Sequence, residues 1–233
     1  MPAPGQHVFS EKVALVTGAT TPIGRAVSLQ LGLYGCYVIA AHKPAEKGDS
    51  DAVAELRTLG TLAHSFEADL SSRDGAVRLI GEAGELFQRL DILVICPEEE
   101  AGGEDSRLDI AVGARLAPSN FLTREALRLF EGRPKPRIVN VINYRDSDDE
   151  LQTALNAALE SLTRSFSTSL PSNFRVNAVA VREDRSRSTV PEDLDPDLFR
   201  PASKIDPDDV ARAVVFLLSS EAKGVNGQVL EIG

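Results

Sequence analysis

The chain has 233 residues, of which 42% are hydrophobic and 5% aromatic, a size and composition typical of one α/β domain with an aliphatic core. The net charge of −10 argues against nucleic acids and anionic membrane surfaces as partners. Cys36 and Cys96 lie in apolar runs and predict buried free thiols, and the three histidines lack metal-ligand spacing. Without a signal-peptide pattern or a membrane-spanning run, we expect a cytoplasmic protein that binds no metal.

The predicted elements alternate between strands and helices along the whole chain. Short apolar runs predict strands at 13–16, 36–41, 62–69, 91–96, 137–143, 175–181 and 228–232. Helical periodicity with start and stop signals predicts helices at 22–31, 49–59, 74–90, 106–130, 151–170 and 206–219. This alternation predicts βαβ crossovers and a doubly wound parallel sheet of seven strands in a single domain, 1–233. The irregular stretch 182–205 is too long for a passive turn and predicts a lid or a contact segment.

The turn between the first strand and the first helix contains two glycines, Gly18 and Gly24, in the sequence VALVTGATTPIG. Open α/β sheets bind dinucleotides at such a turn, where small residues let the backbone approach a pyrophosphate and a helix N-terminus offers free N–H groups. The glycines have a second explanation, because a tight turn needs them whether or not a ligand binds.

The segment TGATTPIGRA (17–26) resembles the TGxxxGIG turn of the short-chain dehydrogenase/reductases. Further segments that resemble this family follow in family order and at near-family spacing: EADL (67–70), DILV (91–94), TREALRLF (123–130), RIVNV (137–141), AALESLTRS (157–165), RVNAVA (175–180) and GQVLEIG (227–233). The resemblance covers the whole chain. It implies a Rossmann-like fold and descent from NAD(P)-dependent oxidoreductases of carbonyl and alcohol groups.

The same resemblance shows that all four catalytic positions have lost the family residue. The family's tyrosine and lysine correspond to Gln152 and Asn156, its serine to Asn143 and its helix-four asparagine to Arg115. A side-chain amide cannot exchange a proton at useful pH, so we expect no catalytic residues. No shift of the alignment restores the pair, because none of the chain's tyrosines is followed four residues later by lysine.

The implied cofactor site keeps only some of the family's residues. Pro22 replaces the family's middle glycine, Ile95–Glu98 replace its NNAG segment, and Val181-Arg182 replace a Pro-Gly. The resemblance predicts remnant cofactor contacts at Gly18, Thr20, Ile23, Gly24, His42, Lys43, Asp69 and Leu70. A basic residue after the second strand accompanies NADP in this family, so we expect either no cofactor or weakly bound NADP. The alternatives are a turn acid for Asp69 and a solvated loop for His42 and Lys43.

Three further features have competing interpretations. Arg115 is either a helix-surface arginine or a residue that fills the old active site. Tyr144 lies beside the old serine position and is a candidate for a relocated acid. Arg182, Arg185 and Arg187 alternate with acids in the irregular stretch, where surface or partner contacts are favoured over catalysis.

The segments that the resemblance associates with assembly are retained. The 151–170 helix has an apolar stripe wider than one packed face needs, and the C-terminal strand would be a poor exposed edge. We therefore expect a catalytically inactive homologue that serves as a structural or regulatory subunit of an NAD(P)-dependent alcohol/ketone or acyl-thioester dehydrogenase. Its expected partner is a second, active short-chain dehydrogenase chain, in a hetero-oligomer of tetramer type, with NAD(P) bound by that partner. The alternatives are an NADP(H)-binding regulator without turnover and an oxidoreductase with relocated catalytic groups.

Overall fold

The structure, a computed structural model, describes residues 8–44, 51–98, 108–144, 150–182 and 205–233. The strands in these ranges are β1 (Val13–Val16), β2 (Tyr37–His42), β3 (Ala63–Glu67), β4 (Ile92–Ile95), β5 (Arg137–Tyr144), β6 (Arg175–Arg182) and β7 (Val229–Ile232). The helices are α1 (Pro22–Leu33), α2 (Asp51–Thr58), α3 (Arg73–Phe87), α4 (Leu108–Arg115), α5 (Ala117–Phe130), α6 (Glu150–Ser169) and α7 (Pro207–Leu218). All strand pairs are parallel, in the order β3-β2-β1-β4-β5-β6-β7. The predicted doubly wound α/β fold is confirmed.

Helices cover both faces of the sheet, which explains why its central strands are continuous apolar runs rather than alternating ones. Every residue of β1 and of β4 is buried. One cluster of buried side chains joins the sheet to α1, α2 and α7, and a second joins it to α3, α5 and α6. Both cysteines are buried and free, as predicted. No helix among the described residues has the length and apolar composition needed to cross a bilayer.

One predicted helix, 106–130, was wrong as a single element. The structure has two helices there, α4 and α5, which meet at Leu116. Pro118 lies in the first turn of α5, a position that tolerates proline because its missing N–H has no helical partner there. In the interior of a continuous helix the same ring would clash with the preceding turn. The described residues therefore contain seven helices instead of the six expected.

Part of the sequence prediction lies outside the described residues. The irregular stretch predicted at 182–205 falls there except for Arg182 and Ile205, so Arg185 and Arg187 have no structural account. The same is true of residues 49–50 and 106–107, at the starts of two predicted helices. The other predicted strands and helices agree with the structure to within a few residues at each end.

The strand order places a topological switch point beside β1. The chain winds from β1 outward to β2 and β3, and then crosses back to β4 on the other side of β1. At such a point the connections leave in opposite directions, which opens a crevice at the carboxyl ends of the strands. The residues that follow β1, β2 and β4 therefore line the crevice.

The carboxyl end of α7 is held by two arginine side chains: Arg137 of β5 donates to the carbonyl oxygen of Leu218, and Arg175 of β6 bonds to several carbonyls. The guanidinium of Arg175 donates hydrogen bonds to the carbonyl oxygens of Leu217 (2.8 Å), Ser219 (2.8 Å), Ala222 (2.6 Å) and, at 3.3 Å, Leu218. The last carbonyls of a helix have no partner within the helix, and a cation at this end also interacts favourably with the helix dipole.

We expect Arg175→Met to lower the free energy of unfolding by about 2–4 kcal/mol, because the carbonyls of Leu217, Ser219 and Ala222 lose the donor that Arg175 supplies while they remain partly buried. Urea unfolding followed by circular dichroism measures this as a lower midpoint at an unchanged slope. Arg164→Met is the matched control. Arg164 is an exposed arginine with a helical i,i+4 partner, Glu160, and its removal should cost less than about 0.5 kcal/mol. Equal costs for the two variants would contradict the capping role.

Candidate functional site

The turn between β1 and α1 is closed by backbone packing. Gly18 has a φ of +60°, and a Cβ built there would lie 2.9 Å from the carbonyl oxygen of Cys96 and 3.0 Å from that of Pro97. A Cβ on Gly24 would lie 2.1 Å from the carbonyl oxygen of Gly18. Both glycines are therefore required by the turn itself. Their presence is explained without any ligand.

The amino end of α1 satisfies part of its own hydrogen-bonding capacity. Thr21 precedes the helix, and its hydroxyl donates to the carbonyl oxygen of Gly18 (2.8 Å) and accepts from the N–H of Gly24 (3.1 Å). Pro22, the first helical residue, has no N–H to offer. Two of the donors that a helix start can present to a phosphate are thus used or missing. Thr20 is exposed at the rim of this turn, and Ile23 is half-buried.

Lys43 and Glu98 form an ion pair over the crevice. The Lys43 ammonium lies 3.4 Å from one carboxylate oxygen of Glu98, whose side chain is only 14% exposed. Burial raises the pKa of Glu98, and the nearby Lys43 acts in the opposite direction. The other carboxylate oxygen is buried, and no donor among the described residues forms a hydrogen bond with it.

The remaining predicted cofactor residues have structural partners of their own. Asp69 accepts hydrogen bonds from the backbone N–H (3.0 Å) and hydroxyl (2.6 Å) of Ser71, and these bonds lower its pKa. His42 is buried between the Lys43 carbonyl (Nδ1, 2.8 Å) and the Ser65 hydroxyl (Nε2, 3.0 Å). A carbonyl can only accept, so Nδ1 donates to the Lys43 carbonyl. Leu70 is buried in the apolar core.

Three of the four former catalytic positions are joined by hydrogen bonds. The Arg115 guanidinium, at the end of α4, donates from Nη1 to Oδ1 of Asn156 (2.7 Å). The Asn156 amide in turn donates to the backbone carbonyl of Asn143 (3.2 Å). Asn156 is 2% exposed and Gln152, one turn earlier on α6, is half-buried. Arg115 therefore reaches from α4 to α6 and lines the cavity, instead of lying on an outer helix surface.

A cavity of about 230 Å³ runs between these two groups of residues. Its lining includes Lys43, Asp69, Glu98 and Arg115, together with apolar residues such as Leu70 and Leu159. Cys96 also lines it, but burial raises the pKa of this thiol to about 12, so it is a poor nucleophile at neutral pH. The titratable side chain of the lining whose pKa burial raises towards neutrality is Glu98, and its carboxylate is paired with Lys43.

The hydroxyl of Tyr144 is hydrogen-bonded to a carboxylate, which makes it harder to ionise. The hydroxyl donates to Oε1 of Glu160 at 2.6 Å, while the Arg182 guanidinium lies 3.7 Å from the centre of the tyrosine ring. Burial and the Glu160 contact raise the pKa of Tyr144 to about 12, and they outweigh the opposite effect of Arg182. A tyrosine that acts as an acid or base near neutral pH needs a lowered pKa. Arg182 itself forms ion pairs with Glu160 (3.5 Å) and Glu231 (3.2 Å).

The residues present do not fit a dinucleotide bound across the switch point. Ligand pockets for drug-sized molecules measure about 300–1,000 Å³, and a dinucleotide is larger than such molecules, whereas the partly open cavity between the described residues has about 230 Å³. The ion pair of Lys43 with Glu98 narrows the crevice at the carboxyl ends of the strands. Whether any of the eight predicted remnant residues contacts a cofactor stays a prediction. Among the described residues, no group of histidine, cysteine or acidic side chains could hold a metal ion.

Comparison with known proteins now defines the class of this protein. The sequence profile of a family described as enoyl-(acyl carrier protein) reductase matches residues 18–232. The chain is 29% identical to a hydroxynaphthalene reductase-like protein of Metarhizium robertsii and 30% identical to that of Metarhizium brunneum, covering 94% of this chain and 92% of the relative in both cases. The chain belongs to the short-chain dehydrogenase/reductase family.

Solved structures give the same fold. A hydroxysteroid dehydrogenase from Escherichia coli matches with a TM-score of 0.82 at 21% identity, over 100% of this chain and 98% of the other. A short-chain dehydrogenase from Burkholderia cenocepacia in complex with NADP matches with a TM-score of 0.80 at 25% identity, over 98% and 97%. NADP binding is thus a property of a structural relative.

Sequence reasoning missed the role of Glu98. The resemblance named Ile95–Glu98 as a departure from the family pattern, but it did not connect Glu98 with Lys43. A signal for the pair exists in the sequence, since an acid and a base follow two strands that flank β1 in a doubly wound sheet. Their distance of 3.4 Å depends on the twist of the sheet and on side-chain rotamers, which the sequence pattern does not specify.

We expect Asn156→Lys to lower the free energy of unfolding by at least about 2 kcal/mol, because it buries a second cation beside the Arg115 guanidinium. Arg115→Asn in the same chain should recover at least about 1 kcal/mol of that loss. Urea unfolding of the four chains of this double-mutant cycle measures the coupling. Ala157→Lys places the same side chain at an exposed position of α6 and is the control. Additive effects of the two substitutions would show that Arg115 and residue 156 do not interact.

Tyr144 provides a pH test. Ultraviolet absorbance of the wild type minus Tyr144→Phe should give an ionisation midpoint near 12, and Glu160→Gln should lower it by removing the carboxylate. The raised pKa in the folded state stabilises the fold below pH ~10, the ordinary tyrosine value, and this contribution is lost as pH rises from there through the folded-state value. A midpoint unchanged in Glu160→Gln would contradict the assignment. Circular dichroism confirms that the chain stays folded during the titration.

Proposed function

We propose that this chain is a non-catalytic short-chain dehydrogenase/reductase subunit that assembles with a second, catalytically active chain of the same family. The observation that supports it best is the hydrogen-bonded chain from Arg115 through Asn156 to the Asn143 carbonyl. These residues stand at the positions that correspond to the family's catalytic residues, and they are hydrogen-bonded to one another. An arginine and side-chain amides at these positions are not suited to proton transfer at neutral pH.

The alternative of relocated catalytic groups has less support. Tyr144 was its best acid candidate, and the contact with Glu160 raises its pKa. Arg115, its best cation, is engaged by Asn156. An NADP(H)-binding regulator without turnover is also disfavoured by the ion pair that crosses the crevice.

The names of the relatives indicate the substrate class of the whole enzyme. They include reductases and dehydrogenases of hydroxynaphthalene and hydroxysteroid type, and the matching family is described as an enoyl-(acyl carrier protein) reductase. We therefore propose an NAD(P)-dependent alcohol/ketone or acyl-thioester dehydrogenase in the cytoplasm. In a hetero-oligomer of tetramer type, this chain supports the active chain, which binds the cofactor.

Surfaces of α6 and β7 are available for this assembly. β7 lies at the end of the sheet order, so one of its edges has no strand partner among the described residues. Leu230 on β7 is 36% exposed, and an exposed apolar edge strand favours association. Leu155, Leu159 and Phe166 of the predicted apolar stripe on α6 are buried, whereas Ala158 and Leu162 are partly exposed.

The direct test is purification of the tagged full-length chain from its native cells, followed by mass spectrometry of the co-purifying proteins. We expect an equimolar short-chain dehydrogenase that retains tyrosine and, four residues later, lysine. A lone homo-oligomer would contradict the proposal.

Reconstitution of this chain with its proposed partner shows which of the two chains supplies the catalytic groups. We expect the tyrosine-to-phenylalanine variant of the partner to abolish turnover, because that chain supplies the acid. Gln152→Ala in this chain should leave the turnover number of the pair within about twofold, because Gln152 cannot transfer a proton. Loss of turnover in Gln152→Ala, with assembly intact, would show that this chain takes part in the chemistry.

A further inference from the structure

The carboxyl ends of β2 and β4 are tied together across β1. Lys43 directly follows β2, and Glu98 lies three residues beyond the end of β4. Because β1 lies between these strands, their ends are separated by two strand spacings, or about 10 Å. The 3.4 Å contact between Lys43 Nζ and Glu98 Oε2 therefore passes over the carboxyl end of β1 and the start of the Gly18 turn.

Glu98 contributes both volume and charge to the crevice. Its side chain is 14% exposed and lines the cavity from the β4 side. One carboxylate oxygen faces Lys43, while the other is buried without a hydrogen-bond donor among the described residues. An incompletely compensated carboxylate in a partly dry cleft repels phosphate groups more strongly than it would in water.

Lys43 is no longer available as a phosphate contact. The family resemblance implies that a basic residue after the second strand accompanies the ribose phosphate of NADP. Here the ammonium is directed to Glu98, and a ligand phosphate would have to displace that carboxylate. The Gly18 turn adds no compensating donor at Gly24, whose N–H bonds to the Thr21 hydroxyl.

We propose that Glu98, held in place by Lys43, closes the crevice of this chain to nicotinamide dinucleotides. The inference deepens the proposed function, because it explains why a cofactor would be carried by the partner chain. The inference rests on the proposed function only where it concerns a cofactor bound by the partner chain. The closure itself is a property of the isolated chain and is testable without a partner.

The test is calorimetric titration of the purified full-length chain with NADPH and, separately, NADH. We expect no saturable binding by the wild type in the millimolar range. Glu98→Ala, which removes both the volume and the charge, should bind NADPH at least about tenfold more tightly. Glu98→Gln, which removes the charge and keeps the volume, should give a smaller gain. Glu125→Ala is the matched control and should give no gain, because it removes a carboxylate that is paired with Arg73 and lies outside the cavity lining.

Two results of the titration would overturn the proposal. Saturable binding by the wild type with the same affinity as Glu98→Ala overturns the proposal, as does the absence of any gain in a folded Glu98→Ala. Thermal unfolding establishes that the variants are folded, and if Glu98→Ala is not, the presence or absence of a gain in Glu98→Gln decides. A closed wild-type crevice in a lone homo-oligomer removes the proposed function and leaves this inference standing. An equimolar active partner, together with saturable dinucleotide binding by the wild-type chain, supports the proposed function and overturns this inference.

Discussion

The close approach of the two carbonyls that follow β4 to Gly18 is the constraint on which the rest of the site depends. No side chain fits at Gly18, because the carbonyl oxygens of Cys96 and Pro97 would lie about 3 Å from its Cβ. The hydroxyl of Thr17 donates to the same Cys96 carbonyl at 3.0 Å, which fixes the ends of β1 and β4 against each other. This contact sets the start of α1 on one side and directs the chain after β4 across the crevice on the other. Glu98 reaches Lys43 only because of that path.

The backbone geometry of the turn and the binding of a phosphate depend on different groups. The tight turn needs Gly18 and Gly24 for its own backbone geometry, so the glycines alone do not indicate a bound nucleotide. The groups that a phosphate would use are affected instead. Pro22 lacks its N–H, the Gly24 N–H bonds to Thr21, and Lys43 faces an acid. A family fold can therefore keep the shape of its cofactor turn while its chemistry changes.

The positions that correspond to the family's catalytic residues form a hydrogen-bonded network in this chain. A buried polar group needs such partners, because leaving a donor or acceptor unpaired is costly. Here a cation enters from α4 instead of α6: Arg115 reaches Asn156, and Asn156 reaches the backbone of β5. These positions keep a charge and a hydrogen-bond network, but an arginine and side-chain amides do not exchange protons near neutral pH.

The sequence by itself determined the fold class, because buried parallel strands and amphipathic helices leave different periodicities and because the family segments fall in order along the chain. It also predicts, through the family resemblance, that Gln152 and Asn156 stand at the positions of the family's tyrosine and lysine, since that prediction needs only residue identity and register. Only the tertiary structure decided that the 106–130 segment breaks at Leu116, that Arg115 points into the pocket, that Asp69 bonds to Ser71, and that Lys43 and Glu98 meet. These contacts join residues from different elements or depend on rotamers, and their geometry follows from sheet order, twist and packing, none of which is encoded in local sequence spacing.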